Sequence, residues 1–116
     1  MQLPLQITFR NLDASESVED KIRARAAELD QFFDRIMGCR VIVETANRGQ
    51  RHGRLYNVRV DLTVPGSEIV VNRSSREDHS HEDIYVAVRN AFDAARRRLE
   101  DHARRRRGDA RGDGAR

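Results

Sequence analysis

Apolar residues in the C-terminal third of the chain recur every three or four positions, the spacing of one face of an α-helix. Ser80 precedes this stripe as a candidate N-cap. Asp83 follows three residues later, so each side chain can serve the other's free backbone N–H group. The pattern predicts a long amphipathic helix that packs one face on a core. The stripe consists of Ile84, Val88, Ala91, Phe92, Ala95 and Leu99.

The opposite face of this predicted helix becomes rich in arginine toward its C-terminal end. Residues 96–116 hold nine arginines and four acidic residues, a net charge of +5, whereas the first 95 residues hold 13 basic and 15 acidic residues, net −2. Arginine combines its charge with a planar donor fork that suits phosphate. Such segregation favours a surface for nucleic acid or an anionic membrane. A solvated helix end is the alternative, because cations there also suit the helix dipole.

Composition narrows the class of protein further. A chain of 116 residues with 38% apolar and 35% charged residues fits one small, highly charged domain. Only 5% of the residues are aromatic, which disfavours readout of single strands by stacked bases. No apolar run has the length of a membrane span, and Met1–Pro4 does not resemble a signal peptide. Because the lone Cys39 cannot form an internal disulfide or a zinc site, we expect a cytoplasmic protein.

The first half of the chain predicts a strand, a helix and a second strand. Residues 3–9 alternate apolar and polar, and Pro4 places this strand at a sheet edge. Ser15 is a candidate N-cap for a helix that Gly38 ends, and Arg40 to Thr45 reads as the next strand. The helix should bury a stripe formed by Val18, Ile22, Ala26, Leu29 and Phe33.

The remaining pattern completes a two-layer α+β fold. Tyr56 to Val64 alternates perfectly, Pro65–Ser67 forms a turn, and Glu68 to Asn72 supplies a fourth strand. The order is β-α-β-β-β-α, with a parallel first pair, an antiparallel meander and both helices on one face of a four-stranded mixed sheet. We expect a folded domain over residues 1–102 and a disordered Arg/Gly/Asp-rich tail over residues 103–116.

Several segments in this order resemble the ribosome hibernation promoting factor family, also known as the ribosome-associated translation inhibitor A or sigma-54 modulation protein family. They are Leu29–Ile36, Asp83–Val88, and Asp93, Arg97 and Leu99 at the family's spacing. The resemblance implies a fold similar to a double-stranded RNA-binding domain. It also implies a cytoplasmic protein that inhibits translation in stress or stationary phase by binding small-subunit rRNA in the channel for mRNA and tRNA.

The resemblance also indicates which side chains face RNA. Arg25 and Arg97 match positions where the family usually has basic residues, but Glu28, Ala94 and Asp101 stand where members often carry lysine. Neighbouring arginines are candidates to compensate for these losses. The predicted rRNA-binding set is Lys21, Arg25, Arg89, Arg96, Arg97, Arg98, Arg104 and Arg105.

Other readings of the chain remain open at this point. It can instead be a protein- or RNA-interaction domain outside the ribosome, with the basic tail as a localisation or solubility device. An enzyme is disfavoured because Asp83 and Tyr85 have no nucleophile or second carboxylate placed beside them; Tyr85 is better explained as a helix–sheet packing residue. A metal site at His79, His81, Glu82 and Asp83 is disfavoured because the two histidines do not share a helix face. We expect no cofactor, small-molecule substrate or membrane partner, and a monomeric free protein.

Overall fold

The computed structural model describes residues 4–45, 56–74 and 84–114. These segments contain four strands and two helices in the predicted order β-α-β-β-β-α. The predicted capping box at Ser80 and Asp83 and the long loop after Thr45 lie outside the described residues. The elements are β1 (Leu5–Arg10), α1 (Glu16–Phe32), β2 (Gly38–Thr45), β3 (Tyr56–Val64), β4 (Ser67–Ser74) and α2 (Ile84–Gly114).

The sheet has the predicted mixed topology, with strands in the order β1-β2-β3-β4. β1 pairs with β2 in parallel, and the two later pairs are antiparallel. β1 is an edge strand, as predicted, but it begins at Leu5, after Pro4. The Pro4 carbonyl accepts a hydrogen bond from Cys39 N at 3.0 Å. Gly66, in the turn between β3 and β4, has φ = 74°, a left-handed conformation that glycine adopts without steric cost.

One face of the sheet carries the core and both helices. Val58 and Val60 on β3 are 0% exposed, and Leu5, Ile7 and Phe9 on β1 pack against the same cluster. This confirms the predicted register, because a slip of one residue would turn each of these side chains to the other face. Both helices contribute their predicted stripes, which include Val18, Ile22, Ala26, Leu29, Val88, Ala91, Phe92, Ala95 and Leu99.

The N-terminus of α1 matches the prediction, but its C-terminus does not. Ser15 caps the helix by accepting a hydrogen bond from Val18 N at 3.3 Å. The helix ends at Phe32, because Phe33 is extended (φ −134°, ψ 101°) and donates its N–H to Leu29 O. Ile36 then turns into the core. Gly38, predicted to end the helix, instead begins β2 opposite Thr63.

The backbone of α2 also differs from the prediction. The helix continues through residue 114, whereas composition predicts disorder from residue 103. Arginine is the commonest residue of this segment and a strong helix former. A contact between the side chains of Asp101 and Arg104, three residues apart, adds support along the helix. Within the described segments, no helix combines the length and hydropathy needed to cross a membrane.

Candidate nucleic-acid interface

The two helices lie side by side on the sheet and run in the same direction. Near their N-terminal ends, the hydroxyls of Ser17 and Tyr85 are 2.7 Å apart. Near the C-terminal end of α1, the guanidinium carbon of Arg96 lies 4.2 Å from the centroid of the Phe32 ring. Both helices direct their apolar stripes to the sheet, and we call the outward surface between them the helix groove.

The middle of the helix groove brings together cations from both helices. Arg25 of α1 and Arg96 of α2 line the same depression of about 30 Å³. The buried side chains of Leu29 and Phe92 form part of its lining. These two arginines are 71 positions apart in sequence, so their proximity depends on the parallel packing of the helices.

Two further predicted cations extend the helix groove toward its N-terminal end. Lys21 lies one helical turn before Arg25, and Arg89 lies seven residues before Arg96. Side chains at these spacings share a helix face. Both residues are exposed. Lys21 and Arg89 therefore share helix faces with Arg25 and Arg96, and one positive strip across both helices stays a prediction.

Carboxylates interrupt this strip. Arg25 Nη1 lies 3.4 Å from Glu28 Oε1, and Arg96 Nε lies 3.4 Å from Glu100 Oε2. Asp93 also lines the groove and forms no ion pair with any described residue. Exposed pairs of this kind are worth about 0–1 kcal/mol, so a phosphate can compete for both arginines. The acidic groups nevertheless lower the positive charge of the groove.

Arg97 and Arg104 lie on the outward face of α2, seven residues apart. The Arg104 guanidinium contacts the Asp101 carboxylate. Arg97 is exposed and forms no ion pair or hydrogen bond within the described part of the chain. The Arg97 guanidinium can therefore meet a ligand without first leaving a carboxylate.

Arg98 points away from the helix groove, toward the edge of the sheet. Its Nη1 donates a hydrogen bond to Val70 O on β4 at 3.1 Å, satisfying a carbonyl on an unpaired strand edge. Arg105 follows seven residues later and is exposed. The structure thus divides the predicted set between the groove, the outward face of α2 and the β4 edge.

The sheet face opposite the helices is polar and balanced in charge. Arg59 Nε lies 2.9 Å from Asp61 Oδ1, and Arg10 Nη1 lies 3.9 Å from Glu44 Oε1. The hydrogen bond to Asp61 raises the pKa of Arg59 above its ordinary value. Carboxylates lie beside these arginines, as they do beside Arg25 and Arg96 in the helix groove.

Sequence reasoning missed two aromatic contributions to the helix groove. Phe32 is 60% exposed beneath Arg96. Because its neighbour Phe33 continues the apolar stripe of α1, the helical spacing already directs Phe32 outward. Tyr85 was predicted to pack between helix and sheet with its hydroxyl at the surface. It is 41% exposed, and its exposed hydroxyl contacts Ser17 of α1. The described residues contain no cluster of three metal-ligating side chains, and the predicted alternative at His79, His81, Glu82 and Asp83 lies outside them.

Comparison with known proteins identifies relatives over most of the chain. A ribosome hibernation promotion factor from Deinococcus radiodurans is 30% identical over 94 residues, which cover 81% of this chain but only 46% of that protein. A ribosome hibernation promoting factor from Pseudomonas putida is 25% identical over 100 residues, covering 86% of each chain. The chain therefore spans less than half of the first relative and most of the second.

Solved structures share the fold. A ribosomal subunit interface protein from Coxiella burnetii matches with a TM-score of 0.71 at 18% identity, over 87% of this chain and 98% of that one. The N-terminal domain of Protein Y from Thermus thermophilus matches with a TM-score of 0.68 at 19% identity, over 88% and 99%. Residues 5–107, which include all four strands, α1 and most of α2, match one family model. The chain therefore belongs to the Sigma 54 modulation protein / S30EA ribosomal protein family.

Proposed function

We propose that this protein is a ribosome hibernation factor that binds rRNA of the small subunit through the helix groove and the outward face of α2. Occupying the channel for mRNA and tRNA, it inhibits translation in stressed or stationary-phase cells. It acts as a cytoplasmic monomer without a cofactor. Membership of the family and the names of its relatives support a role on the ribosome.

The observation that carries the binding site is the placement of Arg25 and Arg96 on opposite sides of one groove. Guanidinium groups on two parallel helices can contact successive phosphates of a backbone that follows the groove. Arg97 extends the same surface without an ion pair to be broken. The opposite sheet face offers a second cluster, in which Arg10, Arg40 and Arg59 line one depression and carboxylates lie beside Arg10 and Arg59.

The test compares two double variants that remove the same charge from opposite faces. Arg25→Ala with Arg96→Ala removes cations of the helix groove, whereas Arg10→Ala with Arg40→Ala removes cations of the open sheet face. Co-sedimentation with purified bacterial small subunits is measured over a range of salt concentrations. Loss of two phosphate contacts lowers the slope of log K against log salt by about 1.4–1.8.

We expect the groove variant to bind more weakly with this reduced slope, and the sheet variant to bind like the parent protein. A translation assay with purified components should show the same order of inhibition. Equal loss in both variants, or loss only in the sheet variant, would contradict the proposed site. Absence of small-subunit binding by the parent protein at low salt would contradict the function itself.

A further inference from the structure

The guanidinium group of Arg96 is held by two partners at the edge of the helix groove. Its central carbon lies over the Phe32 ring, 4.2 Å from the ring centroid. Its Nε lies 3.4 Å from Glu100 Oε2, one helical turn further along α2. A cation over an aromatic face is attracted by the charge distribution of the ring, and the carboxylate attracts the end of the group that carries Nε. The side chain is therefore constrained from two directions.

The same guanidinium group keeps donors for a ligand. Arginine has five N–H groups, and among the described residues no atom accepts a hydrogen bond from those of Arg96. The side chain is 47% exposed and lines the groove depression together with Arg25. A phosphate that follows the groove can therefore accept two parallel hydrogen bonds from Arg96, the geometry that arginine favours.

The position of the Phe32 ring is fixed by the backbone at the end of α1. Leu29 is buried, and its carbonyl accepts the N–H group of Phe33, which ends the helix. Phe33 packs against the core. Phe32 lies between these anchored residues, and its own ring is 60% exposed. A ring this exposed contributes little apolar burial to the core, so packing alone does not explain its place beneath Arg96.

The backbone of Arg96 is anchored as well. Ala95 is 0% exposed and Leu99 is 2% exposed, so this part of α2 is fixed on the sheet. The contact between Phe32 and Arg96 therefore joins two rigid helices across the groove. Two guanidinium groups in one depression repel each other, and the attraction of the ring and of Glu100 offsets this repulsion for Arg96.

We propose that Phe32 is a positioning residue for rRNA binding, whose ring holds the Arg96 guanidinium group ready for a backbone phosphate. Binding normally restricts a long, flexible side chain, and a group that is already held in place avoids much of this cost. Arginine suits the arrangement because its planar group can lie over a ring while its edge donates to phosphate. This inference rests on the proposed function and assigns Phe32 a role that acts only through Arg96.

The first measurement uses the free protein, so it does not depend on ribosome binding. An aromatic ring shifts the NMR signals of protons that lie over its face to lower frequency. We expect the Arg96 side-chain protons to show this shift in the parent protein and in Phe32→Tyr, and to lose it in Phe32→Leu. Equal Arg96 signals in the parent protein and in Phe32→Leu would overturn the inference.

The second measurement is co-sedimentation with purified small subunits over a range of salt concentrations. Phe32→Leu removes the ring and keeps an apolar side chain, whereas Phe32→Tyr keeps the ring. Met37→Leu is the matched control, since Met37 is 58% exposed but does not line the groove depression. Arg96→Ala and the double variant with Phe32→Leu complete a double-mutant cycle, and melting curves confirm that each variant is folded.

We expect Phe32→Leu to bind about 2-fold to 10-fold more weakly, the effect of having to immobilise one long side chain on binding. Phe32→Tyr and Met37→Leu should bind like the parent protein. The salt dependence should stay unchanged in Phe32→Leu because no charge is lost, whereas Arg96→Ala should lower the slope of log K against log salt by about 0.7–0.9. In the Arg96→Ala background, Phe32→Leu should cause no further loss.

Two binding results would overturn the inference while leaving the proposed function intact. A further loss of affinity from Phe32→Leu in the Arg96→Ala background would show that the ring contacts the ribosome itself. Parent-like binding by Phe32→Leu would show that Arg96 needs no positioning by the ring. Absence of small-subunit binding by the parent protein would instead contradict the proposed function, and with it the role of Phe32 in binding.

Discussion

Glu28 is the acidic residue whose replacement should strengthen ribosome binding most directly. Its carboxylate lies 3.4 Å from Arg25 Nη1 and lines the helix groove. Glu28→Lys removes a group that repels phosphate, frees Arg25 from its ion pair and adds a cation at the same position. The variant changes the charge of the groove by two units without touching the apolar core.

The size of the effect follows from Coulomb's law. A phosphate bound by Arg25 would lie about 6 Å from position 28, where two unit charges in water interact by about 0.7 kcal/mol. A change of two units is then worth about 1.4 kcal/mol at low salt, or roughly tenfold in affinity. At physiological ionic strength the Debye length of about 8 Å reduces the gain to about threefold.

Stability should change little in this variant. The Arg25–Glu28 pair is exposed, and such pairs contribute about 0–1 kcal/mol to the free energy of unfolding. The assay is co-sedimentation with small subunits at low and physiological salt, with melting curves alongside. Glu68→Lys is the matched control: it makes the same change in net charge at an exposed site on β4, on the sheet face that the helices do not cover.

We expect Glu28→Lys to gain affinity at both salt concentrations, with the larger gain at low salt, and Glu68→Lys to gain much less. Equal gains would show that net charge, rather than the groove, governs binding. A loss of affinity in folded Glu28→Lys would refute the assignment of this groove to rRNA.

Four further variants test other parts of the structure. Arg97→Ala should weaken small-subunit binding by about 1–3 kcal/mol. Deletion of residues 104–116 should weaken binding mainly at low salt, because it removes counterion release. If Arg97→Ala binds like the parent protein while the deletion abolishes binding at every salt concentration, the folded domain is not the part that binds rRNA. Ile22→Ala should lower the free energy of unfolding by about 2–5 kcal/mol, because Ile22 is fully buried between α1 and the sheet. A denaturation midpoint equal to that of the parent protein would contradict this packing. Burial, with a smaller contribution from the Asp61 carboxylate, raises the pKa of Cys39 from 9.0 to about 12. The native state therefore holds this proton more tightly than the unfolded chain, and the free energy of unfolding should fall as pH rises from about 9 to about 12. The fall should be less steep in Cys39→Ala. Equal dependence of the unfolding free energy on pH in the two proteins would contradict the raised pKa of Cys39.

The order of elements and the core were predictable because nearly every strand and helix buries a single face. Alternation from Tyr56 to Val64 admits one register, and the stripes on α1 and α2 force both helices onto the same side of the sheet. The end of α1 was not predictable by the same argument. Phe33 fits the helical stripe, yet its backbone is extended. Only the tertiary position of Ile36 decides whether Phe33 continues the helix or leaves it.

The candidate site was predictable in part. Two amphipathic helices on one sheet face imply that Lys21, Arg25, Arg89 and Arg96 share an outward surface. The orientation of Arg98 was not predictable, because it depends on where the β4 edge lies beneath α2. The helical backbone beyond residue 103 escaped prediction because the Arg/Gly/Asp-rich composition indicates disorder, whereas arginine on its own favours a helix.

Directed hydroxyl-radical probing measures which face of the protein meets rRNA. Cys39 is buried, so an iron–EDTA probe can be attached selectively to a new cysteine. Asp93→Cys places the probe in the helix groove without removing a cation, and Gln6→Cys places it on the open sheet face. With small subunits bound, we predict strong, localised cleavage of rRNA from position 93 and weak or no cleavage from position 6. Stronger cleavage from position 6 would contradict the central claim that the helix groove binds rRNA.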